Sequence, residues 1–262
     1  MDLQNITNQV RDLAMKAGKF IQDEVSKLKL SDIETKSSNN FVTYVDKKSE
    51  EMIVEKLSSI IPNSGFIAEE NPQLHPSEFT WIIDPLDGTT NFIHGVPLYS
   101  ISIGLMNENE MILGVIYEVN LNEMFYTWKN ASSYLNGHTI KVSPTRNLAG
   151  SLFATGFPYY DYGQLEPYLN FFKFMMKNSH GIRRLGSAAA DLAYVACGRY
   201  DGFYEYGLSP WDVAAGSLIV KNAGGTVTDF NGKNDFIFGK EIIATNSKVY
   251  PEFLEAFKKN FR

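Results

Sequence analysis

Apolar residues at the start of the chain recur at spacings of three and four: Leu3, Ile6, Val10, Leu13, Ala14, Ala17, Phe20, Ile21, Val25 and Leu28. That period predicts a long amphipathic helix with one stripe packed on a core. A second helix is expected over residues 46–60, with Ile53, Val54, Leu57 and Ile60 facing inward and Pro62 ending it. The period then shortens. Phe66 to Ala68 and Trp81 to Ile83 read as short strands. Residues 98–106 alternate, with Ile101, Ile103 and Leu105 on one side and Ser100, Ser102 and Gly104 on the other. The small side would let a helix lie close. Residues 111–119 and 123–128 read as a hairpin joined near Asn120-Leu121-Asn122, and Asn136-Gly137 marks a turn.

From about residue 140 strands and helices alternate. Strands are expected at 151–155, 202–206 and 242–245, and helices at 163–177, 187–197, 211–222 and 251–259. This favours an α+β half at 1–140 joined to an α/β half at 141–262, with helices covering a sheet. Neither a Ser/Gly-rich linker nor an internal repeat separates the halves, so they are expected to pack firmly.

Composition narrows the partners. The 262 residues carry a net charge of −6, so a broad nucleic-acid surface is not expected. An anionic ligand must be recruited locally, by cations, helix N-termini or a few basic side chains. Cys197 is the only cysteine, which excludes an intrachain disulfide and any zinc site built on several cysteines. The start of the chain shows no signal-peptide pattern, and no apolar run reaches membrane-spanning length. A cytoplasmic location is expected.

The chemistry concentrates in Trp81-Ile82-Ile83-Asp84-Pro85-Leu86-Asp87-Gly88-Thr89-Thr90-Asn91. An apolar strand delivers two carboxylates, followed by a glycine, two hydroxyls and an amide at an expected helix start. Hard oxygen ligands suit Mg²⁺, and backbone N–H groups at a helix start suit a phosphate. Pro85 limits the backbone, and the turn predicted there would aim Asp84, Asp87 and the Leu86 carbonyl into one space. Two cations about 3.5–4 Å apart could then share Asp84. Gly88 lets the backbone approach a phosphate.

Other candidates lie further away. Glu69-Glu70 ends the preceding strand and is either solvent-facing or a source of one more ligand. Asp212, in Pro210-Trp211-Asp212, would be explained as a helix cap alone, and it is also the best candidate for a metal ligand from the second half. Asp46 begins the second helix. It either caps that helix or orients Thr89, whose hydroxyl would help deprotonate a water polarised by the cations. Lys36 lies in a polar segment that could close over the site or stay solvated. Arg183-Arg184 could contact phosphate, a partner subunit or surface acids.

Together Val42 to Asp46, Phe66 to Asn71, Trp81 to Phe92, Gly186 to Ala189 and Trp211 to Gly216 resemble the inositol monophosphatase family of lithium-sensitive, Mg²⁺-dependent phosphomonoesterases. The segments follow the family's order across nearly the whole chain. The resemblance implies a layered α-β-α-β-α sandwich of the sugar phosphatase type, with the site between the halves, usually in a homodimer. It implies one Mg²⁺ on Glu69, Asp84 and the Leu86 carbonyl, a second on Asp84, Asp87 and Asp212, and a third near Glu69. Gly88 and Thr89 would hold the phosphate, Asp46 and Thr89 would activate water, Glu205 would contact a sugar hydroxyl, and Ala188 would lie near the ring. Lithium would inhibit by occupying a magnesium site. One departure is a short segment from Asn71 to Thr80, which would open the pocket.

Three readings follow. The first is hydrolysis of a small polyol phosphate, inositol monophosphate above all. The second is the same machinery acting on NADP, fructose 1,6-bisphosphate or an adenosine bisphosphate. The third is a phosphate-binding regulator without catalysis.

Overall fold

The structure is a computed structural model that describes residues 1–27, 33–37, 40–71, 77–158 and 161–261, with side chains at 33, 35–37, 40 and 41 outside that description. The first helix, α1 (Leu3–Val25), buries Ile6, Val10, Leu13, Ala14, Ala17 and Ile21 of the expected stripe; Leu3 and Phe20 are partly buried beside them, Val25 is exposed at the helix end, and Leu28 lies outside the described residues. The second, α2 (Tyr44–Ile60), begins at a capping box in which Thr43 and Asp46 serve each other. Between them β1 (Ile33–Ser37) and β2 (Asn40–Thr43) pair antiparallel. The polar loop expected around Lys36 is therefore a two-stranded hairpin. The Lys36 side chain lies outside the described residues, as do residues 72–76 of the short Asn71–Thr80 segment.

Seven strands form the first sheet: β3 (Gly65–Ala68), β4 (Phe79–Asp87), β5 (Ser100–Asn107), β6 (Glu110–Glu118), β7 (Glu123–Trp128), β8 (Ser133–Leu135) and β9 (His138–Ile140), in that spatial order. Five strands form the second: β10 (Leu152–Thr155), β11 (Gly181–Arg183), β12 (Gly202–Tyr206), β13 (Gly225–Thr228) and β14 (Glu241–Asn246), ordered β11-β10-β12-β14-β13. The short strands β8, β9, β11 and β13 were not visible in the pattern, since three or four residues show too little periodicity.

Helices α5 (Ala188–Ala196) and α6 (Pro210–Asn222) lie between the sheets and touch both. On the outer face of the first sheet lie α1 and α2; outside the second are α4 (Leu165–Asn178) and α7 (Tyr250–Asn260). The result is the layered α-β-α-β-α sandwich. Its central layer explains the small residues noted on β5. Gly104 pairs with Gly114 of β6, and α6 lies directly on them. A Cβ on Gly114 would lie 2.7 Å from the Ala215 carbonyl oxygen. Ser102 Oγ donates to the Trp211 carbonyl at 3.0 Å, which fixes the start of α6 against the sheet.

The turn expected at Asp84–Asp87 is instead strand. β4 continues to Asp87, with Asp84 opposite Ser102 and Asp87 opposite Ser100. Three steps on β4 face two on β5, so one extra residue bulges from β4. In a regular strand, residues three apart point to opposite faces. The bulge restores the parity and gives both carboxylates one face. Pro85, which has no N–H for the ladder, is at home there.

Candidate active site

Several elements converge where β4 ends. Asp84 and Asp87 come from the bulge, and α3 (Thr89–Ile93) follows at once. Gly88 joins them with φ +101°, and a Cβ there would lie 3.2 Å from the carbonyl oxygens of Gly186 and Leu98. This position needs glycine both for its left-handed backbone and for space. Asn91 then donates to the carbonyls of Leu98 and Leu185, both at 2.8 Å, tying α3 to the segment that enters α5.

The second half supplies the opposite wall. Asp212 is the third residue of α6, and its Oδ2 accepts from the Ser209 N–H at 2.7 Å. Capping leaves ligation open: one oxygen serves the helix and the carboxylate keeps another. Asp46 is used the same way. Its Oδ2 accepts from the Thr43 N–H at 2.8 Å, while its Oδ1 accepts from Thr89 Oγ1 at 2.9 Å. Thr89 Oγ1 also lies 3.1 Å from the Leu86 carbonyl oxygen.

Asp84, Asp87 and Asp212 offer oxygens that all lie within 4.8 Å of one another. Glu69 stands outside that trio but lines the same cavity. The parallel register of β3 on β4 sets Ala68 beside Ile83, so the next residue, Glu69, comes beside Asp84. The turn after β3 is held by Glu50 of α2, whose Oε2 accepts from the Glu70 N–H at 2.8 Å.

The electrostatics are those of crowded acids. Burial, then Glu69, Asp87 and Asp212, push Asp84 well above the usual carboxylate range. Burial, then Asp87, does the same for Asp212. Asp87 rises only to about 6, because hydrogen bonds oppose its burial. Its Oδ2 accepts from Ser187 Oγ at 2.6 Å and from the Ala189 N–H at 2.7 Å, at the start of α5. Such a group of hard oxygen donors is suited to a divalent cation, whose charge would relieve the repulsion. The residues present fit Mg²⁺.

The cavity, about 200 Å³, is lined by these acids together with Gly156, Phe157, Arg184, Ala188, Asp191, Glu205 and Leu208. Gly88, Thr89, Ala188 and Glu205 thus all line one space, and Asp46 reaches it through Thr89. Burial pushes Glu205 up to about 8, against the opposing charge of Arg184. Of the two arginines, Arg184 lines the cavity while Arg183 ends β11 with an exposed side chain.

Ser187, Gly156 and Asp191 were not foreseen as site residues. Gly156 carries no signal of its own. Asp191 carried one: an acid inside the Ala-rich run Ala188-Ala189-Ala190-Asp191-Leu192-Ala193 of a helix buried on every side.

Fold and site together are those of a phosphomonoesterase. The chain belongs to the inositol monophosphatase family, whose family model matches residues 2–261. It is 37% identical to an inositol-1-monophosphatase of Mesorhizobium japonicum, over 97% of this chain and 96% of that protein. It is also 39% identical to the Nus factor SuhB of Pseudomonas aeruginosa, over 96% of this chain and 95% of that protein. Among solved structures it is similar to the extragenic suppressor protein suhB of Bartonella henselae, with a TM-score of 0.91 and 39% identity over 97% of this chain and 99% of that one.

Proposed function

We propose that this protein hydrolyses a small phosphomonoester, most readily inositol monophosphate, with Mg²⁺ as cofactor. The observation that carries this reading is the trio Asp84, Asp87 and Asp212, two of them buried and the third partly so, beside the Thr89–Asp46 hydrogen bond. Two to three cations would be held by Glu69, Asp84, the Leu86 carbonyl, Asp87 and Asp212. When bound, they supply Lewis-acid polarisation of the phosphoryl oxygens and lower the pKa of the attacking water. The chain's own groups do the rest. The Gly88 and Thr89 amides hold the phosphate. Thr89 Oγ1 takes up a proton from water while passing its own toward Asp46 Oδ1, whose pKa is raised by burial and so favours accepting it. Ala188 and Glu205 border the alcohol portion, and Lys36 is assigned to the substrate side from the polar character of its segment, its side chain lying outside the described residues.

The same machinery would serve NADP, fructose 1,6-bisphosphate or an adenosine bisphosphate. Phosphate release from a panel of these substrates with Mg²⁺, with and without lithium, ranks them. Asp87→Asn should lower turnover at least about a hundredfold, on the scale of a lost transition-state electrostatic contact, while circular dichroism stays native. Full Mg²⁺-dependent activity in that variant would refute the ligand assignment. The Nus factor name of the Pseudomonas relative favours a second reading, a regulatory role through a protein partner; failure to release phosphate from every substrate in the panel would leave that role alone. A homodimer in the cytoplasm is the expected setting, and light scattering of the purified protein tests the dimer. No helix among the described residues is long and apolar enough to cross a membrane.

A further inference from the structure

Asp191 stands apart from the groups used so far. It lies in the first turn of α5, it is 2% exposed, and it lines the cavity with Glu205. Its Oδ1 is sealed from solvent and has no hydrogen-bond partner among the described residues. A buried carboxyl oxygen left without a partner is costly to keep for structure alone. Its neighbour is unusually placed as well. Gly156, after β10, makes room for the Glu205 carboxyl: a Cβ there would fall 2.0 Å from Glu205 Oε1. α5 packs against β12, and both acids line the same cavity as the Asp84–Asp87–Asp212 trio.

We propose that Asp191 is a specificity-determining residue that hydrogen-bonds a hydroxyl of the polyol carrying the phosphate, alongside Glu205. This rests on the phosphomonoesterase reading and extends it to the alcohol. Burial, then the charges of Glu205 and Asp87, push the Asp191 pKa well above the carboxylate range, so the carboxyl can donate as well as accept. A site built to pair hydroxyls discriminates against an alcohol that lacks them, because its own polar groups then go unpaired.

The test compares kcat/KM for inositol monophosphate and for p-nitrophenyl phosphate, whose leaving group has no further hydroxyl. Asp191→Ala should lower the ratio of the first to the second at least about tenfold, whereas Asp191→Asn, which keeps an oxygen in place, should hold it within about threefold. Equal losses on both substrates, an unchanged ratio in the alanine variant, or an asparagine variant as poor as alanine would each overturn the proposal. The thermal midpoint without substrate separates a packing role: it should not fall in Asp191→Asn, and a fall shared by both variants would also overturn it. Should the wild-type protein release phosphate from neither substrate, the phosphatase reading fails. The same ratio is then read from dissociation constants for inositol monophosphate and inorganic phosphate, with the same outcomes deciding.

Discussion

Replacing Glu205 by Gln should make the metal-free protein more stable at neutral pH. The carboxyl is 7% exposed, and its pKa rises from the ordinary 4.5 to about 8 because burial penalises the charged form. The folded state therefore keeps a proton that the unfolded chain releases. Between pH 4.5 and about 8 the folded state binds more protons, so stability falls as pH rises and the penalty is full only above the folded pKa. At about 1.4 kcal/mol per pH unit, the cost is near 4 kcal/mol at pH 7.5 and near 1 kcal/mol at pH 5. Water relaxing into the open cavity reduces this, so a gain of about 2–4 kcal/mol at pH 7.5 is expected. Glutamine has the shape of the protonated acid and fits the space left by Gly156, so it adds no steric term. Urea unfolding with a chelator present, at pH 5 and 7.5, measures the difference between wild type and variant. Asp84, Asp191 and Asp212 are raised in the same direction, so the wild-type slope is steeper than Glu205 alone would give, and subtracting the variant isolates one group. A variant less stable than wild type at pH 7.5, or an equal difference at both pH values, would refute the reasoning.

Thr89→Val removes the 2.9 Å bond to Asp46, and kcat should fall about 10²–10⁴-fold with KM changed far less, while Thr89→Ser should retain most activity in steady-state assays. Gly114→Ala would place a methyl 2.7 Å from the Ala215 carbonyl oxygen and 3.1 Å from its Cα, so α6 must shift. Unfolding experiments should show a loss of about 1–3 kcal/mol, and Mg²⁺ titrations should show weaker binding because Asp212 rides on that helix. Saturating Mg²⁺ should raise the thermal midpoint by the equivalent of about 2.7 kcal/mol at a hundred times the dissociation constant, a gain that Asp87→Asn should lose.

Much of the fold was legible because long elements repeat their signal. The α1 stripe runs through six turns, and β5 alternates over six residues from Ser100 to Leu105, small on the side where α6 rests. The bulge in β4 was not legible. Asp84-Pro85-Leu86-Asp87 reads as a turn, because proline and aspartate are turn formers and only pairing with Ser100 and Ser102 reveals strand. The Lys36 segment misled for a related reason: a polar run of Ser and Asn looks like loop until a partner strand is found.

The chain by itself determined which groups carry the chemistry. Carboxylates, a hydroxyl and a glycine in a family-specific order specify oxygen ligands, a proton path and room for a phosphate, since those follow from residue type and local backbone. Tertiary structure decided where they act. A one-residue bulge gives Asp84 and Asp87 a common face, and a parallel register brings Glu69 beside Asp84. α6, resting on paired glycines, carries Asp212 to within 4.8 Å of residues more than a hundred positions earlier. Distance and burial between remote segments depend on packing, and so do the raised pKa values and the unpartnered oxygen of Asp191 that follow from them.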